Sequence, residues 1–239
     1  MHPKEKTFTT ETVKFILSIK PKTIALSGGS TPGPIYKKLA NILGKNIPRD
    51  RNFAPAKFPC SLQPPQNGNS ASQNFFQVDE RYVPRTDKNS NYKLITDCGL
   101  KLSHFFDTSL PIDETLKKYE VKLPAKFDLI ILGIGEDGHI ASIFPEKSTK
   151  STSLLPAIPS QKVVHTFAPK TSPIKDRLTL TLPYILKAKN ILVLLKNKPQ
   201  ILKILQNQSK TGKPATQKAI SKFPALALLN HKNLTIHSI

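Results

Sequence analysis

Cysteine is nearly absent from this chain, with Cys60 and Cys98 its only two. They lie far apart with no Cys-x-x-Cys spacing, which excludes a disulfide framework and leaves no zinc or redox motif. Long apolar stretches are missing as well. The longest runs, residues 129–132 and 191–195, fall far short of the roughly 20 residues that a membrane-spanning helix needs. The opening Met-His-Pro-Lys-Glu-Lys carries no apolar signal segment. A cytoplasmic protein with no membrane partner is therefore expected. Acid is the third scarcity: 16 Asp and Glu stand against 36 Lys and Arg, a net charge of +20. Such a field draws phosphorylated substrates and can hold nucleic acid without specificity. The basic residues are spread along the whole chain, mostly as Lys, with no Arg-rich arm and no aromatic-interleaved stripe. No specific nucleic-acid partner is expected.

At 239 residues the chain suits one domain spanning 1–239, long enough to bury about three-quarters of its unfolded surface. Residues 22–27 read as a short strand ending in Gly28-Gly29. Residues 34–43 follow, with Ile35, Leu39, Ile42 and Leu43 at helical spacing. The stretch 44–74, rich in Pro, Asn, Gln and Ser, reads as a loop or disordered excursion. A strand at 75–78 delivers Asp79-Glu80-Arg81, and residues 89–100 and 112–121 are helix candidates. The run 127–132 has the continuous apolar character of a strand buried on both faces. Further strands are predicted at 162–167, 178–182, 191–195 and 234–237, with helices at 199–206 and near 219–229. Strands alternating with helices imply an α/β fold: a mainly parallel, open, Rossmann-like sheet with helices on both faces. In such sheets ligands sit beyond the carboxyl ends of the strands. Three polar clusters occupy that position, after Leu26, after Val78 and after Leu132.

The first cluster, Ser27-Gly28-Gly29-Ser30-Thr31-Pro32-Gly33, joins a strand to a helix. Its glycines let the backbone approach an anion, its hydroxyls donate, and the helix N-terminus adds partial positive charge. A phosphate cradle and a merely structural turn with a Ser/Thr cap both fit these residues. It lacks the Gly-Lys-Ser/Thr ending of a P-loop. Pro32 also breaks the Gly-x-Ser-x-Gly nucleophile elbow, so Ser30 is a poor nucleophile. The third cluster, Gly133-Ile134-Gly135-Glu136-Asp137-Gly138, matches the dinucleotide fingerprint literally. It lacks the acidic residue about 20 positions on that would hold a ribose. No dinucleotide is expected. Asp137, followed two residues later by His139, suits other chemistry, in which a carboxylate orients an imidazole as a base. A structural His capping a following helix is the alternative.

Taken together these stretches resemble the 6-phosphogluconolactonase family, within the group that also contains glucosamine-6-phosphate deaminases. The resemblance rests on Leu26 to Pro32, Val78 to Pro84, Asn89-Ser90-Asn91-Tyr92, Phe127 to Pro145 and Arg177 to Pro183, in the family's order. The deaminase branch is similar through the phosphate loop and Asp-Gly-His, but continues differently. Ser142-Ile143-Phe144-Pro145 and Arg81 have the lactonase form. Leu195, however, stands where the family commonly has a glycine, and only 26 residues precede Ser27.

The resemblance implies hydrolysis of 6-phospho-D-glucono-1,5-lactone, a small sugar-phosphate partner, by a monomer that uses neither cofactor nor metal. It implies His139 as general base with Asp137 beside it, and Arg81 holding lactone or water. Ser27, Gly28, Gly29, Ser30, Thr31, Arg177 and Lys198 would bind phosphate, with Asp79 and Asn91 also in the pocket. Amino-sugar phosphate deamination is the alternative reaction. A non-catalytic phosphosugar- or nucleic-acid-binding protein is the alternative class.

Overall fold

In the computed structural model, residues 3–45, 73–146 and 160–239 are described. A five-stranded, wholly parallel sheet forms the centre, in the order β2-β1-β4-β7-β8. Its strands are β1 (Thr23–Leu26), β2 (Asn74–Gln77), β4 (Leu129–Gly133), β7 (Asn190–Leu195) and β8 (Leu234–Ser238). The apolar runs explain why these strands are central. Along β4, Leu129 and Ile131 pack into one core while Ile130 and Leu132 pack into the other; β7 divides Leu192 and Leu194 from Ile191, Val193 and Leu195 in the same way. Period-two alternation with both faces apolar requires cover on both sides, as parallel sheets generally do. One face is covered in part by α1 (Pro3–Ile19) and α2 (Gly33–Lys45), which pack on each other.

The N-terminal ends of three strands share one carboxylate. Asp128 accepts from the backbone N–H groups of Lys22 and Thr23 at 2.9 and 3.0 Å and pairs with Lys189 at 2.7 Å. Burial alone would raise its pKa, but the Lys189 ammonium and the two N–H donors outweigh burial and hold it at about 2.

Three expectations need correction. The strands expected at 162–167 and 178–182 do not join the parallel sheet. As β5 (Val163–Phe167) and β6 (Asp176–Leu180) they pair antiparallel with β3 (Asp79–Arg81), forming a separate sheet in the order β3-β6-β5. Leu182 instead opens the short α5 (Leu182–Ile185), with Pro183 in its first turn. The helix expected near 219–229 is split into α7 (Gln217–Lys222) and a 3₁₀ segment, Pro224–Asn230. Pro224 drives Phe223 to φ −148°, because a residue before proline is forced out of the helical region. The first element, α1, precedes every element expected from sequence. The remaining helices, α3 (Asn91–Asp97), α4 (Ile112–Glu120) and α6 (Pro199–Lys210), lie within or across the expected ranges. Of the 44–74 excursion, 44 and 45 close α2 and 74 opens β2, while 46–72, with Cys60, lie outside the described residues. No helix among the described residues is long and apolar enough to cross a membrane.

Candidate active site

Between β1 and β4 the strand order reverses: from β1 the chain adds β2 outward on one side, then β4, β7 and β8 on the other. A crevice forms at such a switch point, beyond the carboxyl ends of the strands. The glycine turn after β1 and the His139 loop after β4 both open there. They line one cavity of about 200 Å³, together with Asp79, Arg81, Asn91 and Lys198.

Each wall has a local cause. Gly29 takes φ +102°, a left-handed conformation that a side chain would oppose, so the chain turns sharply before α2 begins at Gly33. Tyr36 of α2 reaches back and donates its hydroxyl to Ser27 O at 3.0 Å, fixing the start of the turn. Ser27 Oγ is buried with no hydrogen-bond partner among the described residues. In the third loop, Asp137 Oδ1 accepts from His139 N at 3.1 Å and lies 2.5 Å from His139 Nδ1. The ionised carboxylate makes Nδ1 the donor, so Nε2 is left as the basic nitrogen. Burial pushes the Asp137 carboxyl up, but its bonds to and attraction by His139 prevail and bring it below its usual range. The ring lies close against Gly135: a Cβ there would stand 2.0 Å from Cε1 and 2.1 Å from Nδ1.

The second loop supplies the cation. On β3, Asp79 and Arg81 are two residues apart and share a face, and both line the cavity. Arg81 Nη1 donates to Asn89 O at 2.9 Å and to Asn91 Oδ1 at 2.6 Å. The Asn91 amide then donates to Asp79 O and Oδ1 at 2.9 and 3.2 Å. Asn91 also presses on the first loop, for a Cβ at Gly28 would lie 1.8 Å from its Oδ1. Asn91 thus joins the first loop to the second.

Residues 5–225 match the family described as glucosamine-6-phosphate isomerases/6-phosphogluconolactonase. The chain belongs to this family. It is 34% identical over 206 residues to a probable 6-phosphogluconolactonase of Dictyostelium discoideum, covering 77% of this chain and 75% of that one. It is 32% identical over 203 residues to the 6-phosphogluconolactonase of Thermotoga maritima, covering 80% and 77%. A crystal structure of 6-phosphogluconolactonase from Thermotoga maritima superposes with TM-score 0.65 at 27% identity, over 97% of this chain and 94% of the other. The Trypanosoma brucei 6-phosphogluconolactonase structure shares the fold, with TM-score 0.72 over 98% and 92%, at 23% identity.

Most of the residues that the family resemblance singles out converge. Ser27, Gly28, Gly29, Ser30, Thr31, Asp79, Arg81, Asn91, His139 and Lys198 line the first cavity. Asp137 and Arg177 do not. They line an adjoining cavity of about 420 Å³ that shares Asp79, Arg81, His139 and Ala141 with the first. Arg177 faces Arg81 across the β3–β6 register and donates to Ser172 Oγ at 2.9 Å. Its Nε is buried with no partner among the described residues, and burial followed by Arg81 lowers its pKa. Lys198 donates to Ile134 O at 2.5 Å and lies 3.3 Å from Glu136 Oε1. A 3₁₀ turn begins at residue 146, seven residues beyond His139, while the hydrogen bonds of His139 N and Nδ1 go to Asp137 Oδ1 rather than to a helix end.

Sequence reasoning missed Glu80, Ser142 and Phe223. Ser142 donates to Asp79 Oδ2 at 2.7 Å, tying the His139 loop to β3. Phe223 fills the space beside Gly138, whose φ is +82°, and Ala225 N donates to Gly138 O at 3.0 Å. Glu80 becomes legible only once β3 pairs with β6, which makes its side chain point away from its neighbours'. Phe223 carried no local signal. Among the described residues no group of three or more His, Cys, Asp or Glu is placed to hold a metal ion.

Proposed function

We propose that this chain, acting as one lactonase domain, hydrolyses 6-phospho-D-glucono-1,5-lactone to 6-phosphogluconate. The observation that carries the reading is that an imidazole oriented by a carboxylate and an anion-binding glycine turn line one cavity at the switch point. Relatives named 6-phosphogluconolactonase over three-quarters of their length support it.

In this reading the phosphate lies against the turn from Ser27 to Thr31, where N–H groups, hydroxyls and the start of α2 supply positive potential. Lys198 adds a full charge to the same cavity. Anchoring the phosphate fixes the lactone carbonyl without contributing to its chemistry, which converts remote binding into orientation. Water attacks the carbonyl carbon, and His139 Nε2 takes its proton. The negative charge that forms on the carbonyl oxygen is met by Arg81, whose Nη1 is already held by Asn89 and Asn91, so little reorganisation is needed. Arg177 behind it raises the positive potential of the shared wall. The tetrahedral centre collapses by breaking the bond from carbon to ring oxygen, and the imidazolium returns its proton to that oxygen. Atoms and charge balance with no covalent enzyme intermediate. The product would feed the oxidative branch of the pentose phosphate pathway in the cytoplasm.

The test is acid release from freshly generated 6-phosphogluconolactone, measured above the spontaneous rate, with wild type and His139→Ala. A positioned base is worth about 10²–10⁴-fold, so the variant should lose that much in kcat. Failure of the wild type to accelerate hydrolysis would remove the assignment. Ammonia release from glucosamine 6-phosphate would redirect it to the deaminase branch.

A further inference from the structure

Glu80 is the least solvated carboxylate near the site and takes no part in the chemistry just described. It sits on β3 between Asp79 and Arg81, faces away from the cavity and is only 1% exposed. Its carboxylate accepts five hydrogen bonds. Oε1 takes Arg81 N at 2.8 Å and Asn91 N at 2.6 Å, and Oε2 takes Gln77 Nε2 at 2.7 Å, Tyr92 N at 2.8 Å and Ser90 Oγ at 3.1 Å. Burial raises its pKa against the pull of these donors. No described cation forms an ion pair with it.

A buried, unpaired carboxylate is costly unless its acceptor sites are filled, and here four of the five donors come from the two segments that hold the Arg81 guanidinium, with Gln77 of β2 supplying the fifth. One is the Arg81 backbone itself. The other is the start of α3, where Ser90, Asn91 and Tyr92 all converge on Glu80. Arg81 Nη1 in turn binds Asn91 Oδ1 and Asn89 O. We infer that Glu80 is a positioning residue for the lactone-binding arginine: it locks the Arg81 backbone to the start of α3, so that Asn89 and Asn91 hold the guanidinium in one pose.

The amide of a glutamine cannot replace this carboxylate. Whichever way it flips, its NH₂ group confronts at least two of the donors. Glu80→Gln should therefore release α3 from β3 and let Arg81 wander while leaving His139 in place. A displacement of about 1 Å can cost on the order of 10²-fold, so a loss of about 10–100-fold in kcat/KM is expected, carried mainly by kcat. The inference rests on the lactonase reading, and a double-mutant cycle with Arg81→Ala tests it. If Glu80 acts through Arg81, Glu80→Gln costs less than about threefold in the Arg81→Ala background. Additive losses would overturn the inference, as would a folded Glu80→Gln enzyme within about threefold of wild type. Should Glu80→Gln not fold, Glu80→Asp, which keeps the charge but is shorter by one methylene, enters the same cycle with the same two outcomes. A second readout needs no turnover: the Arg81 Nε–H resonance in NMR should be sharp and dispersed in wild type and merge with the solvent-exchanging arginines in the variant. An unchanged resonance would also overturn the inference. A wild type without lactonase activity would sink the proposed function and leave this measurement standing.

Discussion

Replacing Gly135 by alanine probes the base without touching it. The added methyl would lie 2.0 Å from His139 Cε1, 2.1 Å from Nδ1 and 2.9 Å from Asp137 Oδ1. Carbon–carbon contacts are comfortable only at about 3.5 Å or more, so the ring must retreat by about 1.5 Å. The obstacle is a ring bonded to Asp137 rather than the end of a flexible chain, so retreat breaks the 2.5 Å contact that sets the tautomer. A misplacement of about 1 Å is worth on the order of 10²-fold, and the ceiling is loss of the base altogether, about 10²–10⁴-fold. Gly135→Ala should therefore lower kcat by at least about 10²-fold, with little change in KM, because the phosphate contacts are remote. The displaced ring should lower stability as well. Gly135 does not occupy the left-handed region, so no backbone strain is added, and the narrower unfolded chain that alanine gives offsets part of the loss, by about 0.4–1 kcal/mol. The assay is steady-state lactone hydrolysis beside thermal melting, with His139→Ala and the double variant as controls. Activity within threefold of wild type, or a further large loss when Gly135→Ala is added to His139→Ala, would refute the role given to the ring.

Three other perturbations address other parts of the molecule. Gly28→Ala places a methyl 1.8 Å from Asn91 Oδ1, which should unseat Asn91 and with it Arg81, lowering kcat/KM by roughly 10-fold or more. Normal kinetics would show that the loops are not coupled through that asparagine. Glu136→Gln removes an anion 3.3 Å from Lys198 Nζ at a site meant for phosphate. Because Glu136 is 82% exposed, the gain is modest: KM should fall about two- to threefold at low salt and the difference shrink at high salt, while a raised KM would contradict the placement of phosphate beside Lys198. Asp128→Asn tests a pH linkage far from the site. The folded-state pKa is depressed to about 2, so the carboxylate's stabilisation is fully present above the unfolded value of about 3.9 and is lost as pH falls toward 2. A depression of nearly two units corresponds to about 2 kcal/mol at pH 7. Urea titrations should show the variant less stable by that order at neutral pH and equal to wild type near pH 2; a gap that persists in acid would mean the charge is not what matters.

The parts of this protein legible in sequence are those whose physics is local. Strands β1, β4 and β7 announce themselves because burial on both faces makes every position beyond the first of β1 and β7 apolar, and the loops after β1 and β4 because sharp turns at strand ends need glycine. What was illegible depends on partners distant along the chain. Helix α1 buries Thr9, Thr12, Val13 and Ile16, and two threonines on a four-residue stripe erase the apolar pattern that marks an amphipathic helix. In β6, Leu178, Thr179 and Leu180 are all buried. The alternation of leucine and threonine reads as a strand with one wet face, yet Thr179 is buried beside the His139 loop, where its Oγ1 accepts from Ser142 N at 3.4 Å.

The antiparallel sheet is the instructive case, because it bears on function. A three-residue strand such as β3 is too short to show any period, so Asp79-Glu80-Arg81 reads as a loop of charges after β2. Pairing with β6 converts it into pleated structure, and the pleat sorts its three charges: Asp79 and Arg81 face the cavity, Glu80 faces the start of α3. The same pairing brings Arg177 opposite Arg81, where two guanidiniums share a wall although like charges repel. No described carboxylate forms an ion pair with either arginine; the charges of Asp79 and Glu80 offset part of the repulsion at Arg177, and hydrogen bonds to Asn89, Asn91 and Ser172 hold the groups in place. Two cations held on one wall without a carboxylate in direct contact form a place prepared for an anion, and the charge that develops on a lactone oxygen under attack by water is an anion of that kind.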